Sequence, residues 1–109
     1  MEISFKTKKL QKLCEQANQA EKALGTKGAK KLRARLADLA VCATVSDLCA
    51  GRPHPLEGDR AGQLALDLDH PRRLVLEPDH LPIPKKEDSS IDWSQVTRVR
   101  IIEIGDYHG

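Results

Sequence analysis

The chain is poor in aromatic residues, with one Phe, one Trp and one Tyr among 109 residues. Any core must therefore be built from Leu, Ile, Val and Ala. The sequence also lacks a run of about eighteen apolar residues, which a membrane-spanning helix requires. Its lysine-rich first segment is not followed by the apolar stretch of a secretory signal. We therefore expect a cytoplasmic protein that does not associate with membranes.

Cysteine is also scarce, and its pattern excludes several kinds of site. The three cysteines, Cys14, Cys42 and Cys49, are odd in number and form no C-x-x-C pair. That spacing argues against a zinc site, a redox pair and a disulfide framework. We expect all three to be buried, reduced thiols.

Charge of one sign does not dominate the chain, whose formal net charge is +2. Any affinity for nucleic acid must therefore come from local clusters of Lys and Arg. A length of 109 residues suits one folded unit with a modest core, so we expect a single domain over 1–109.

The first half of the chain predicts helices. Residues 2–5 alternate as a short strand, and Gly25 then separates two stretches of apolar residues at helical spacing. These apolar positions are Leu10, Leu13, Cys14, Ala17 and Leu24, followed by Ala29, Leu32, Leu36, Leu39 and Ala40. The pattern predicts a helical hairpin with one stripe on the core and a basic outer surface. Thr44 and Asp47 have capping-box spacing, which predicts a helical turn ending by Gly51.

From Arg52 onward the pattern is typical of turns and strands. The segment "RPHPLEGDRAG" contains two Pro and two Gly and predicts turns. Alternating leucines predict an antiparallel hairpin over 63–69 and 72–77, and 96–104 predicts the last strand. The proline-rich segment 78–94 predicts a long loop. The order indicates an α+β fold, with the N-terminal helical hairpin packed on one face of a small antiparallel sheet.

Arginines are expected on the sheet face that the helices leave open. Arg98 and Arg100 share one side of the last predicted strand. Arg60 and either Arg72 or Arg73 can point the same way. Such arginines can hold phosphates, but exposed arginines on an edge strand also simply keep a protein soluble.

The end of the chain supplies groups that could carry acid–base chemistry. The only tyrosine, Tyr107, stands between Asp106 and His108, directly after the last predicted strand. His54, in a Pro-His-Pro turn, is a second imidazole that could reach the same face. A Tyr and a His beside arginines can stack on a base and transfer protons.

Two segments, "HPLEGDRAGQLALDLDHPRRLVLEP" and "VRIIEIGDYHG", together resemble the RelE/ParE toxin superfamily. The resemblance is closest to the HigB, or plasmid-maintenance killer protein, branch of bacterial type II toxin–antitoxin systems. That pattern has a His-x-Leu-x-Gly-Asp-Arg-x-Gly block, an Arg-Leu strand and a terminal Asp-Tyr-His. The corresponding residues here are 54–62, 73–76 and 106–108. With the preceding helical hairpin, the resemblance covers nearly the whole chain.

The resemblance implies a growth-inhibiting toxin that cuts translated mRNA on the ribosome without a metal or other cofactor. A 2′-hydroxyl attacks the adjacent phosphate while basic side chains stabilise the developing charge. The implied catalytic residues are His54, Asp106, Tyr107 and His108, and the implied RNA-binding residues are Arg60, Arg73, Arg98 and Arg100. The implied partners are the ribosome, mRNA and a cognate helix-turn-helix antitoxin, with operator DNA reached only through that antitoxin.

Three features depart from the family pattern. Glu57 replaces a basic residue, Leu76 replaces an aromatic one, and the 78–94 loop is longer than in compact members. These departures predict weaker phosphate binding without a change of fold. Two other functions stay open: a ParE-like toxin that binds DNA gyrase, and a non-catalytic module that binds its antitoxin. The terminal Tyr–His pair favours the nuclease, because a gyrase-binding protein does not require it.

Overall fold

The computed structural model describes residues 1–106, which form helices packed on one face of a five-stranded sheet. Tyr107 and His108 lie outside the described residues. The strands are β1 (Glu2–Phe5), β2 (His54–Pro55), β3 (Leu64–Asp67), β4 (Arg73–Pro78) and β5 (Arg98–Gly105). The helices are α1 (Lys8–Glu15) and α2 (Ala17–Val41). The strand order is β1-β5-β4-β3-β2, and the α+β prediction is confirmed.

The sheet is largely antiparallel, as predicted, but it is mixed, because one parallel pairing was not predicted. β1 pairs with β5 in parallel, with Ile3 opposite Val99. The other pairings are antiparallel. Two helices separate β1 from the later strands, so no tight hairpin forces an antiparallel neighbour. β2 was also missed, because a strand of two residues, one of them Pro55, is too short to show an alternating pattern.

The helical region has two breaks where the sequence pattern predicted one. α1 ends at Glu15, and Gln16 has an extended backbone, so the predicted helix from Leu10 to Leu24 is interrupted. Gly25 lies within α2 but has φ 77° and ψ 174°, which confirms the predicted interruption there. The guanidinium of Arg72 donates to the carbonyl oxygen of Leu24 over 2.6 Å. That contact satisfies a carbonyl which the break leaves without a helical partner.

Gly28 allows the turn between β3 and β4 to approach α2 closely. A Cβ atom at Gly28 would lie 2.8 Å from Arg72 Nη1, 2.8 Å from the Cβ of Leu24 and 3.1 Å from Asp69 Oδ1. Gly→Ala inside a helix normally stabilises it by about 0.5–1 kcal/mol. Here we expect Gly28→Ala to destabilise the fold by about 1–3 kcal/mol, because the helix and turn must separate.

Urea unfolding of Gly28→Ala measures this effect. Thr26→Ala is the matched control, because Thr26 is exposed on the same helix and its replacement should change the free energy of unfolding by less than about 0.5 kcal/mol. A Gly28→Ala protein more stable than the wild type would contradict the close packing.

The core lies between the helices and one face of the sheet. Its fully buried side chains include Leu32 and Leu39 of α2 together with Leu66, Leu74 and Ile101 of the sheet. Within residues 1–106, no helix is long and apolar enough to cross a membrane.

The predicted loops and turns are largely confirmed. Residues 79–92 form a long loop with a single β-bridge between Lys85 and Ile91. The capping pair opens a 3-10 turn at Val45–Asp47, where the Asp47 carboxylate accepts from the Thr44 N–H at 3.3 Å. That turn ends at Asp47, before the predicted Gly51.

The cysteines are free but less buried than predicted. Cys49 is exposed, and Cys14 and Cys42 are half-buried. Burial raises the pKa of the Cys14 thiol to about 12, helped by the negative charge of Glu15. Cys14 is therefore a protonated, unreactive thiol at neutral pH.

Candidate functional site

The sheet face opposite the helices, called the open face below, has a small apolar floor under charged side chains. Ala65 and Val75 are fully buried, yet they lie outside the core cluster formed by the leucines that alternate with them. They therefore point away from the helices. Across the floor, four residues lie in register on neighbouring strands: His54, Ala65, Val75 and Glu103.

Arg60 reaches over this floor from the 3-10 turn Gly58–Arg60. Its guanidinium forms a 2.8 Å ion pair with Glu103 of β5 and donates over 2.9 Å to the side chain of Gln63. Glu57 is exposed, and it meets Arg60 through the backbone, where its carbonyl accepts the Arg60 N–H. Among the described residues, the carboxylate that pairs with Arg60 is therefore that of Glu103 and not that of Glu57.

Arg73 lies on the open face at the start of β4, and its neighbour Arg72 turns toward the helices. Arg73 Nε lies 3.0 Å from one oxygen of Asp67. Arg52 Nε lies 3.4 Å from the other oxygen. Two guanidinium groups therefore converge on one carboxylate, an arrangement that also suits a phosphate.

Arg100 belongs to a separate group of charges near the other end of β5. It forms ion pairs of 2.7 Å with Asp79 and 3.5 Å with Glu77. The pKa of Asp79 lies below its usual value because Arg100 and then Ser4 donate hydrogen bonds to the carboxylate. The same hydrogen bond raises the pKa of Arg100. Arg98 is exposed, two residues earlier on the strand.

His54 is oriented by its own turn. Its Nδ1 lies 2.8 Å from the carbonyl oxygen of Arg52. Since a carbonyl oxygen only accepts, Nδ1 carries the hydrogen of this bond, and Nε2 is left to accept a proton. His54 lies directly opposite Ala65, at the edge of the apolar floor over which the Arg60 side chain extends.

β5 leaves the sheet at the end of the open face where Arg73 lies. Gly105, the last residue of β5, lies opposite Arg73. Asp106 follows and is exposed. The predicted catalytic residues Tyr107 and His108 lie beyond the described residues, so their contacts with this face stay a prediction.

The structure divides the predicted site residues into two groups. His54, Arg60, Arg73 and the chain exit at Asp106 lie toward one end of the open face. At about 3.3 Å per residue, Arg100 lies roughly 16 Å back along β5 from Gly105. Arg98 lies farther still, so these two arginines are separate from the first group.

Sequence patterns missed three residues of the first group: Arg52, Asp67 and Glu103. A regular strand would place Glu103 on the side opposite Arg100. The pairing of β4 with β5 shifts register at Ile102, because Leu76 is opposite Ile101 whereas Val75 is opposite Glu103. This β-bulge places Glu103 on the open face. An alternating pattern alone gives no signal of such a shift.

Comparison with solved structures identifies the fold. A YoeB/ParE toxin from Agrobacterium tumefaciens superposes with a TM-score of 0.60 at 13% identity, covering 98% of this chain and 99% of the other. The chain has the fold of a YoeB/ParE-type toxin.

Two structures from Staphylococcus aureus give the same result. A YoeB-YefM complex matches with a TM-score of 0.60 at 15% identity over 96% of this chain and 94% of that one. A YoeB dimer matches with a TM-score of 0.59 at 16% identity over 100% and 98%. No protein-family model matches the sequence, and no curated protein matches it. Nothing in these neighbours points to the HigB branch in particular.

Proposed function

We propose that this chain is the toxin of a type II toxin–antitoxin system and cuts mRNA on the ribosome. The observation that carries the proposal is the convergence of His54, Arg60 and Arg73 at the end of the open face where β5 delivers Asp106. Tyr107 and His108 follow Asp106 directly in the sequence. The HigB branch is part of the proposal on the strength of the sequence resemblance alone.

The proposed reaction is an internal transfer at one phosphate of the RNA. The 2′-hydroxyl oxygen forms a bond to the adjacent phosphorus and loses its proton to a base, either His54 Nε2 or Tyr107. The bond from phosphorus to the 5′-oxygen breaks, and that oxygen receives a proton from His108. The products are a 2′,3′-cyclic phosphate and a 5′-hydroxyl, and the charges balance without a co-reactant.

Arg60 and Arg73 stabilise the extra negative charge on the phosphoryl oxygens in this scheme. Each is held by a carboxylate, Glu103 and Asp67 respectively. A substrate phosphate must therefore compete with these carboxylates for the guanidinium groups. That competition supports a toxin of reduced strength, with Glu103 in the role that the sequence had suggested for Glu57.

The proposed partners are the ribosome, translated mRNA and a cognate antitoxin. One structural neighbour is described as a complex of YoeB with YefM, which supports a protein partner for this chain. We place that antitoxin among helix-turn-helix proteins, through which operator DNA would be bound.

Controlled expression in bacteria tests the function. We expect growth arrest together with new 5′ ends inside translated reading frames, and no such ends when translation of the same mRNA is blocked. Arrest with intact mRNA and inhibited DNA supercoiling would instead indicate a toxin that binds gyrase. Absence of arrest at high expression of folded protein would indicate a module that only binds its antitoxin.

A further inference from the structure

The long loop between β4 and β5 encloses a pocket against the turn that contains Arg60. Leu56, Ala61 and Gly62 form the wall on the side of that turn, and the loop forms the other wall. The pocket has a volume of about 650 Å³, which lies within the usual range for sites that bind small molecules. The loop is also the segment whose length departs from the family pattern, so this pocket is a feature of this chain.

The lining of the pocket combines apolar side chains with positive charge. Trp93, the only tryptophan of the chain, lines the pocket together with Ile83 and Ile91. Lys85 and Lys86 also line it, and both are exposed. Among the described residues, none that lines the pocket is acidic. A nucleobase can stack on an indole ring, and an ammonium group suits a phosphate, so the lining matches the two ends of a nucleotide.

The loop wall of the pocket is held by hydrogen bonds and by the core. Lys85 and Ile91 form a β-bridge, and the Lys86 N–H donates to the carbonyl oxygen of Ser90 over 2.8 Å. Ile91 and Trp93 are half-buried and pack against the core cluster. The pocket therefore exists before a ligand binds, which lowers the entropy cost of binding.

The pocket lies next to the candidate site. Ala61, in the pocket wall, directly follows Arg60. Pro55, which also lines the pocket, directly follows His54. Consecutive Cα atoms are about 3.8 Å apart, so the pocket wall is one residue away from two members of the site. An RNA strand whose phosphate contacts Arg60 can therefore place a neighbouring nucleotide in the pocket.

We propose that this pocket, called the Trp93 pocket below, binds one base of single-stranded RNA next to the phosphate that is cut. The base stacks on Trp93, and Lys85 or Lys86 contacts the adjoining phosphate. This inference rests on the proposed function and adds to it a subsite for a nucleotide that flanks the cleavage position. An acidic peptide would use the two lysines but would leave the indole without a flat ring to stack on.

The fluorescence of Trp93 tests the inference directly, because the chain has no other tryptophan. The probe is 2′-O-methyl hexaadenylate, which lacks the attacking 2′-hydroxyl and so cannot be cut by the proposed reaction. We expect this probe to quench the Trp93 fluorescence until the pocket is saturated. A strand of the same length without bases keeps the phosphates and should leave the Trp93 fluorescence unchanged.

The affinity of variants for the fluorescently labelled probe is the second measurement. Trp93→Leu keeps an apolar side chain against the core but removes the ring, so we expect it to bind about fivefold to a hundredfold more weakly. The matched control is Phe5→Leu, because Phe5 packs against the core from β1, at the edge of the sheet opposite β2. The control should bind within about twofold of the wild type.

The variant Lys85→Gln/Lys86→Gln tests the phosphate contact without touching the core. Loss of one phosphate contact should weaken probe binding about fivefold at about 0.1 M salt, with a salt slope smaller by about 0.7. The matched control is Lys30→Gln/Lys31→Gln, which removes two exposed lysines of α2. We expect this control to bind within about twofold of the wild type. If Trp93→Leu does not fold, the lysine variant and the quenching of wild-type Trp93 decide the question.

Three results would overturn the inference. One is binding of the probe without quenching of Trp93, and another is an equal affinity of both pocket variants and the wild type. The third is equal quenching by the strand without bases or by polyglutamate, which would assign the pocket to an acidic chain. Failure of the proposed function is separate: a wild type that cuts no mRNA, yet shows base-dependent quenching of Trp93, would refute only the nuclease.

Discussion

The variant Tyr107→Phe/His108→Ala is expected to cleave translated mRNA between a hundredfold and ten-thousandfold more slowly than the wild type. Loss of a positioned acid or base has this range of cost. The physical reason is the path of the chain: β5 ends at Gly105 beside Arg73, and the next residues are Asp106, Tyr107 and His108. The measurement is the rate at which new 5′ ends form on a reporter mRNA in a translation extract.

His70→Ala is the matched control for the loss of an imidazole. His70 is exposed in the turn between β3 and β4 and has no place in the proposed reaction. We expect its variant to cleave at the wild-type rate. Wild-type cleavage and full growth arrest by Tyr107→Ala/His108→Ala, at equal protein levels, would remove the catalytic assignment of both residues.

The sequence alone was sufficient to predict those helices and strands whose residue pattern lies within one short segment. Alternating leucines located β3 and β4, and helical spacing located α2 with its break at Gly25. Pairing between distant segments carries no such local signal. The parallel contact of β1 with β5 joins residues nearly a hundred positions apart, and the short β2 strand is defined only by its partner β3.

The candidate site was predictable only in part, for the same reason. The resemblance pointed to His54, Arg60 and Arg73, which the fold brings to one end of the open face. Their carboxylate partners were missed. Glu103 reaches that face only through the bulge at Ile102, and a bulge depends on the pairing of two strands.

Arg72 and Arg73 provide the sharpest test of the site, because their side chains point to opposite sides of the sheet. Arg73→Ala is expected to lower the cleavage rate by about a hundredfold to a thousandfold, the usual effect of removing one group that stabilises charge in a transition state. Arg72→Ala removes an identical side chain one position earlier. Because Arg72 binds the carbonyl of Leu24 and the carboxylate of Asp69, its loss should lower the melting temperature. Its cleavage rate per folded molecule should stay within about threefold of the wild type.

Removal of Arg73 also leaves Asp67 with one partner fewer, which gives a second explanation for lost activity. The Asp67 carboxylate would keep only the exposed Arg52, at 3.4 Å, and its negative charge would repel a substrate phosphate. The variant Arg73→Ala/Asp67→Ala separates the two causes. We expect it to stay as slow as Arg73→Ala, because the missing guanidinium itself stabilises the reacting phosphate. Recovery to within about tenfold of the wild type would assign the loss to the unpaired carboxylate instead. Equal cleavage by Arg73→Ala and Arg72→Ala, at equal folded concentration, would show that the open face is not where the RNA reacts.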